Sequence, residues 1–322
     1  MHAKAKATLL RLLLFLGVGV AIGIAVGSLR FDGRELLQAL QGFSGVTLLG
    51  SFTLILVQIS FQITRLWALC PPRVGMSWSQ AAHSFASGQF VSNFIQSQAG
   101  HAVKVALLRK PADHRGRPML AAESTAIVVV DKVFDVLMLL GLTGLALLQL
   151  GLHAQAGRYL DLNWLWGLPI LGIASLLIYL LQGRSRRIQQ WLMEFKQGLR
   201  VVKSPLQLGQ AAGVGLGDWL CEGWSLQMLC VAQGFALSPA QLMVSLFILN
   251  VGVSIPISVA NIGTFEASLV FALTRFGVPL VQGVAIATLF HLFQLVGTAL
   301  WMLATLGKGR QSRAGKNKSL FG

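Results

Sequence analysis

Long apolar runs constrain this chain more than any other feature of it. They cover Thr8–Leu29, Gly45–Leu69, Leu120–Leu150, Trp164–Leu181, Leu206–Gln233, Pro239–Ser258 and Val281–Leu306. A helix that crosses a bilayer needs about 20 mostly apolar residues. Strands of a transmembrane barrel alternate apolar and polar positions, and these runs do not. Charged residues make up 11% of the chain and apolar residues 54%, against about 25% charge in ordinary soluble domains. The 322 residues therefore read as an all-α, polytopic helical membrane protein with about eight transmembrane segments. It is expected to form a single integral membrane domain over 1–322, with an embedded core at 8–306 and a basic cytoplasmic tail at 307–322. No stretch remains for a separate soluble catalytic domain.

The net charge of +15 raises the question of nucleic acid, but its distribution answers it. Nineteen Lys and Arg residues fall in the N-terminus, in 71–118 apart from Lys104, in 183–205 and after Leu306. Only Arg30, Arg34, Arg158 and Arg275 fall in the intervening connectors. Excess Lys and Arg in short loops marks the cytoplasmic side, so both termini are expected there and the crossing count is even, with 260–276 as a short seventh crossing of eight; seven crossings, or six with re-entrant pieces, are the alternatives. A nucleic-acid binder would instead gather its basic groups on one groove-sized face. The stretch 184–203 interleaves Arg and Lys with Trp191, Leu192, Phe195 and Leu199, as an amphipathic helix on an anionic leaflet does.

The first run is longer than the 7–15 apolar residues of a secretory leader. Its Gly19, Gly23 and Gly27 make a smooth face for close helix packing, so it reads as a retained span. Cys221 and Cys230, nine residues apart on a helix, stand about 13 Å apart, too far for a disulfide. The histidines have no ligand spacing, and His291 reads as a helix-packing residue. Gly213-Val-Gly-Leu-Gly217 lacks the spacing and the preceding strand of a dinucleotide fingerprint. No metal, cofactor or nucleophile constellation emerges, so the chain is not expected to be an enzyme.

Six of the eleven carboxylates lie inside apolar segments: Glu123, Asp131, Asp135, Asp218, Glu222 and Glu266. Each costs at least about 2.5–3.5 kcal/mol to place at bilayer depth. Asp131 and Asp135 share a helix face, with Lys132 three residues before the second of them; Asp218 and Glu222 repeat the four-residue spacing. Arg65, Lys104 and Lys132 are the embedded cations, so negative charge exceeds positive by three. Either some carboxyls stay protonated, or the cavity receives a proton, a metal ion or a positively charged lipid headgroup. Buried ion pairs that merely fix helix register are the structural alternative.

Two segments fit neither span nor loop. His83–Leu108 mixes Ser, Gln and Asn with apolar residues around Gly100, and Ala260–Phe276 is apolar but short. Both are expected to be re-entrant or broken helices, tolerated at membrane depth only when protein or a wet cavity covers the backbone. Gly100 and Gly263 lie half a chain apart, each followed within a turn or so by a charge, Lys104 or Glu266. Transporters place paired interrupted helices of this kind in pseudo-symmetric halves around the substrate.

At these segments the chain resembles the membrane region of lysylphosphatidylglycerol synthases and their stand-alone flippase-like relatives, hopanoid-associated membrane proteins among them. The family patterns are Pro-x-x-x-Gly-x-x-x-Arg, Glu-Arg-x-x-Asp and Pro-Gly-Gly-x-Gly-x-x-Glu. Here the first appears as Gly100 and Lys104, the second as Asp131-Lys132-Val133-Phe134-Asp135. The third keeps Pro256, Gly263 and Glu266, with Val259-Ala260-Asn261 in place of Pro-Gly-Gly. The resemblance implies lipid handling in an inner membrane: a flippase or transport component that moves a phospholipid, glycolipid or modified headgroup between leaflets. Lys104 and Lys132 would attract a lipid phosphate; Glu266, Asp135, Asp218 and Glu222 would handle a cationic headgroup or protons. The alternative is an accessory membrane protein that binds a lipid-modifying or glycosyltransferase enzyme. Membrane lipids are the expected partners, and no cofactor is expected.

Overall fold

The computed structural model describes residues 33–95, 97–109, 119–151, 190, 193–196, 198–199, 204–254 and 259–306. The expected spans Thr8–Leu29 and Trp164–Leu181, the tail at 307–322, Pro256 and most of 184–203 lie outside them. Every element among the described residues is helical. A short α1 (Gly33–Gln41) leads into α2 (Gly45–Leu69), which is followed by α3 (Trp78–Phe94), α4 (Ser97–Leu108) and α5 (Ala121–Gln149). The second set is α6 (Pro205–Ala232), α7 (Pro239–Ser254), α8 (Thr264–Arg275) and α9 (Leu280–Leu306).

Helix ends follow from local chemistry. Ser44 caps α2 by accepting from the Thr47 amide at 3.1 Å, and Pro71 and Pro72 prevent its continuation. Ser77 and Gln80 start α3 with the Gln80 side chain accepting from the Ser77 amide at 3.1 Å. Ser204 with Pro205, and Ser238 with Pro239, start α6 and α7; a proline costs nothing at a first helical position because its missing donor would be unpaired there.

The long helices α2, α5, α6 and α9 have 25, 29, 28 and 27 residues, about 37–44 Å each. Gly45–Leu69 and Leu280–Leu306 have the length and apolarity of membrane spans, with mean hydropathies of 1.8 and 1.7. Large apolar side chains such as Leu49, Val57, Leu137, Leu145, Trp224 and Leu303 cover their outer faces, as lipid-facing surface requires. Between the long helices sit two antiparallel pairs. α3 and α4, of 17 and 12 residues, are too short to cross singly, at about 25 and 18 Å. So are α7 and α8, of 16 and 12 residues.

The order long, hairpin, long therefore occurs twice, and the packing repeats with it. α3 packs on α9 and α7 on α5; α2 touches α9 and α6 touches α5. The first helices of the two sets, α2 and α6, pack on each other. Ser51 pairs with Ser225 through hydroxyls 2.7 Å apart, Gly217 lies against Phe61, and Gln207 donates to the Ala68 carbonyl at 3.3 Å. The pairing runs backwards along one helix as it runs forwards along the other, so α2 and α6 are antiparallel.

One expectation needs correction. Gly100 does not interrupt a helix: it lies inside α4, and the break falls at Ile95, one residue past α3. A Cβ on Gly100 would meet the Ser92 hydroxyl and the Gly88 carbonyl, and one on Gly88 would meet the Lys104 side chain. These glycines are there for close approach of α3 and α4, not for a turn. Gly252 plays the same part between α7 and α8, where a Cβ would meet Ser268. Gly263 does stand at a break, with φ +85° at the start of α8. Ala260 and Asn261 just before it both have φ +55°, a region glycine enters freely and other residues enter at a cost.

Candidate functional site

Arg65 is the hub of the embedded charges. It comes from α2, is 3% exposed, and reaches three carboxylates on two other helices. Its Nε donates to Asp131 Oδ1 at 2.8 Å, and its Nη1 faces Asp135 Oδ1 at 3.4 Å and Asp218 Oδ2 at 3.3 Å. Lys132 closes the outer side by donating to the other Asp135 oxygen at 2.7 Å. Gly215, one turn before Asp218, lies beside the Arg65 side chain and Met138 of α5.

Lys104 is buried in the first hairpin. Its ammonium sits 4.1 Å from the centre of the Phe85 ring, a cation–π arrangement, and donates to Gln89 Oε1 at 3.2 Å. Among the described residues it makes no ion pair. From Gln89 a chain of polar contacts leads across the molecule. Gln89 donates to Asn93 at 3.0 Å and Asn93 to the Thr298 hydroxyl at 3.3 Å. Thr298 donates to the Gln294 carbonyl at 2.7 Å, and the Gln294 side chain to Glu222 Oε1 at 3.1 Å. Glu222 stands one turn from Asp218 on the same face of α6. The path from Lys104 thus ends at Glu222, one helical turn from the Arg65 cluster.

Glu266 belongs to the second hairpin. Its Oε2 accepts from the Gly263 amide at 2.7 Å, holding the first turn of α8, and its Oε1 lies 2.7 Å from His291 Nδ1. The His291 ring stacks on Phe265, centroids 4.2 Å apart. His291, Gln294 and Thr298 lie at i, i+3 and i+7, one face of α9. That face meets Glu266, Glu222 and Asn93 in turn over about 10 Å of helix.

The family model for the lysylphosphatidylglycerol synthase TM region matches residues 9–301. The chain belongs to this family. Neither the curated proteins nor the solved structures yield a match. Membership agrees with the apolar helices in making it a membrane protein of a lipid-modification and flippase family. The family patterns also gain a physical meaning. Ala260 and Asn261, which stand where the pattern has two glycines, are the two non-glycine residues with positive φ among the described residues. The turn demands a left-handed backbone there, and this chain supplies it without glycine.

Of the residues expected from sequence, the structure joins Asp131, Lys132, Asp135 and Asp218 in one cluster, with Glu222 next to it and Lys104 connected through the polar chain. Gly263 and Glu266 form a separate cap linked to the same face of α9. Gly100 serves the seam that carries Lys104. Glu123 is buried nearer the start of α5. Sequence reasoning missed Arg65 as the organising residue, although its place among the three embedded cations was the available signal. It also gave His291 a packing role only, and gave none to Gln89, Asn93, Gln294 and Thr298. Their signal was weak: single amides and hydroxyls in apolar helices, whose common facing is visible only once the helices are packed.

Proposed function

We propose that this protein moves a lipid headgroup between the leaflets of the cytoplasmic (inner) membrane and is a lipid translocase, not a transferase. The observation that carries this reading is the chain of polar contacts from Lys104 to Glu222, which stands one turn of α6 from the Arg65 cluster. Polar and charged groups at bilayer depth face protein or a wet cavity and mark substrate pathways. Lys104, held by a ring face and one amide and without an ion pair among the described residues, is the cation that would meet a lipid phosphate. Asp135, Asp218, Glu222 and Glu266 supply negative charge for the cationic part of a headgroup. Attraction in such a low-dielectric setting is several-fold stronger than in water. Acyl chains stay in the bilayer while the headgroup passes.

Topology follows in the same reading. The two short pairs enter the membrane as re-entrant hairpins, so α2, α5, α6 and α9, with the two runs read as spans from sequence alone (8–29 and 164–181), make six full crossings in place of the expected eight. Both termini remain cytoplasmic. Because α2 and α6 are antiparallel, the first hairpin enters from the cytoplasm and the second from outside, as in inverted-repeat transporters.

The test is movement of headgroup-labelled lipid in liposomes holding the purified protein, with anionic, zwitterionic and lysyl-modified lipids compared. Wild type moves at least one of them, and Lys104→Ala and Glu266→Gln abolish the movement. A folded wild-type protein that moves none would reassign it to a partner-binding role beside a lipid-modifying enzyme.

A further inference from the structure

Among the described residues, the Arg65 network does not balance. Arg65, Lys104 and Lys132 bring three positive charges; Asp131, Asp135, Asp218 and Glu222 bring four negative ones. Glu266 has His291 as its own partner, and Glu123 is engaged as well. A network at this depth is costly to leave with an uncompensated charge, so it has room for one more cation. A second observation locates it. Asp218 is 1% exposed, and while its Oδ2 faces Arg65, its Oδ1 is buried without a hydrogen-bond partner among the described residues.

The groups around Asp218 and Glu222 come from three of the helices packed on α6; α7, which also packs on it, has no ionisable residue. From α2 they are Arg65 and the Gln58 amide, from α5 Asp131, Asp135 and Lys132, and from α9 Gln294. On α6 itself they are Glu222 and the Cys221 thiol. Glu222, one turn away, is the one carboxylate of this network without a cation at salt-bridge distance among the described residues. No group of three or more His, Cys, Asp or Glu able to hold a metal ion occurs among the described residues. A proton needs only one lone pair.

We propose that Asp218 and Glu222 form a single-proton site in the middle of α6, and that its proton is the coupling ion for the lipid movement proposed above; this second half rests on that reading. When the proton is present the network is neutral. When it leaves, the pair carries the extra negative charge that would draw in a cationic headgroup group or the next proton.

Infrared spectroscopy of the reconstituted protein at neutral pH in sodium-free buffer, with exchange into heavy water to mark protonated carboxyls, tests the site. Wild type shows one such band. Because the remaining acid would then be balanced, Asp218→Asn and Glu222→Gln each remove the band. Lys104→Gln, which deepens the charge deficit, enlarges it. No band in wild type, or a band that survives either amide, overturns the site. In parallel, lipid movement is followed with and without an imposed pH gradient. Dependence on the gradient in wild type, lost in both amide variants, supports coupling. Movement indifferent to the gradient overturns coupling while leaving the band result to judge the site. No lipid movement at all overturns coupling together with the translocase reading, and again leaves the site to the band.

Discussion

The two hairpins have nearly the same arms, 17 and 12 residues against 16 and 12, yet opposite chemistry. The first presents Lys104 on a seam made tight by Gly88 and Gly100. The second presents Glu266, clamped by His291 and by its own Gly263 amide, beyond a turn with three consecutive-region positive φ values at Ala260, Asn261 and Gly263. The long helices repeat as well, but Arg65 of α2 and the carboxylates of α5 and α6 concentrate the ion pairs on one side of the repeat. The counterpart face of α9 carries His291 and Gln294, which need no charge to be satisfied. The two sets of helices thus share an order of elements and divide their polar work: cation in one hairpin, anion in the other, with the ionic hub between the long helices.

Substitutions can break this division in order of size. Arg65→Met leaves buried Asp131 and Asp218, and half-buried Asp135, without their shared cation, and removing one partner of a buried pair costs about 3–5 kcal/mol. The variant should lose most of its folded fraction in thermal unfolding in detergent, and Arg65→Lys should recover only part of it, since an ammonium cannot reproduce the fork. Gly100→Leu overpacks the first seam at about 1–3 kcal/mol, whereas Gly141→Leu, with open space around it, should leave the unfolding midpoint unchanged.

The second hairpin should respond more mildly. Glu266→Gln trades a charge-assisted bond to His291 for a neutral one, a loss of about 1.5 kcal/mol, and keeps the fold while stopping lipid movement. A variant that instead unfolds as Arg65→Met does would show that the cap is as structural as the hub. The smallest effect goes the other way. Ala260→Gly relieves a left-handed alanine worth about 1 kcal/mol, so the unfolding midpoint should rise.

Much of this was legible in the sequence because bilayer depth makes its signals loud. Gly45–Leu69 is bounded by the same residues in sequence and structure, and the runs at 120–150, 206–233 and 281–306 agree with their helices to within a residue. The segments of α3, α4 and α8 were legible as anomalies, whereas Pro239–Ser258 read as a full span and its helix α7 has only 16 residues. What they were anomalous for was harder to read. Gly100 looks like Gly263 in one dimension, yet one fills a seam and the other a left-handed turn; only the neighbour across the hairpin tells them apart. The site was legible as a set of misplaced charges and not as a network. The charges announce themselves singly, while the linking residues Asn93, Gln294 and Thr298 are ordinary until α3 and α9 meet.

The claim on which the account stands is that the two hairpins enter the membrane from opposite sides. Pro72 before the first and Ala236 before the second are both exposed connector residues. In a background with Cys70, Cys221 and Cys230 replaced, single Pro72→Cys and Ala236→Cys variants can be labelled with a membrane-impermeant thiol reagent in spheroplasts and in inside-out vesicles. The account predicts that Pro72→Cys is labelled only in inside-out vesicles and Ala236→Cys only in spheroplasts. Labelling of both from the same side would contradict it.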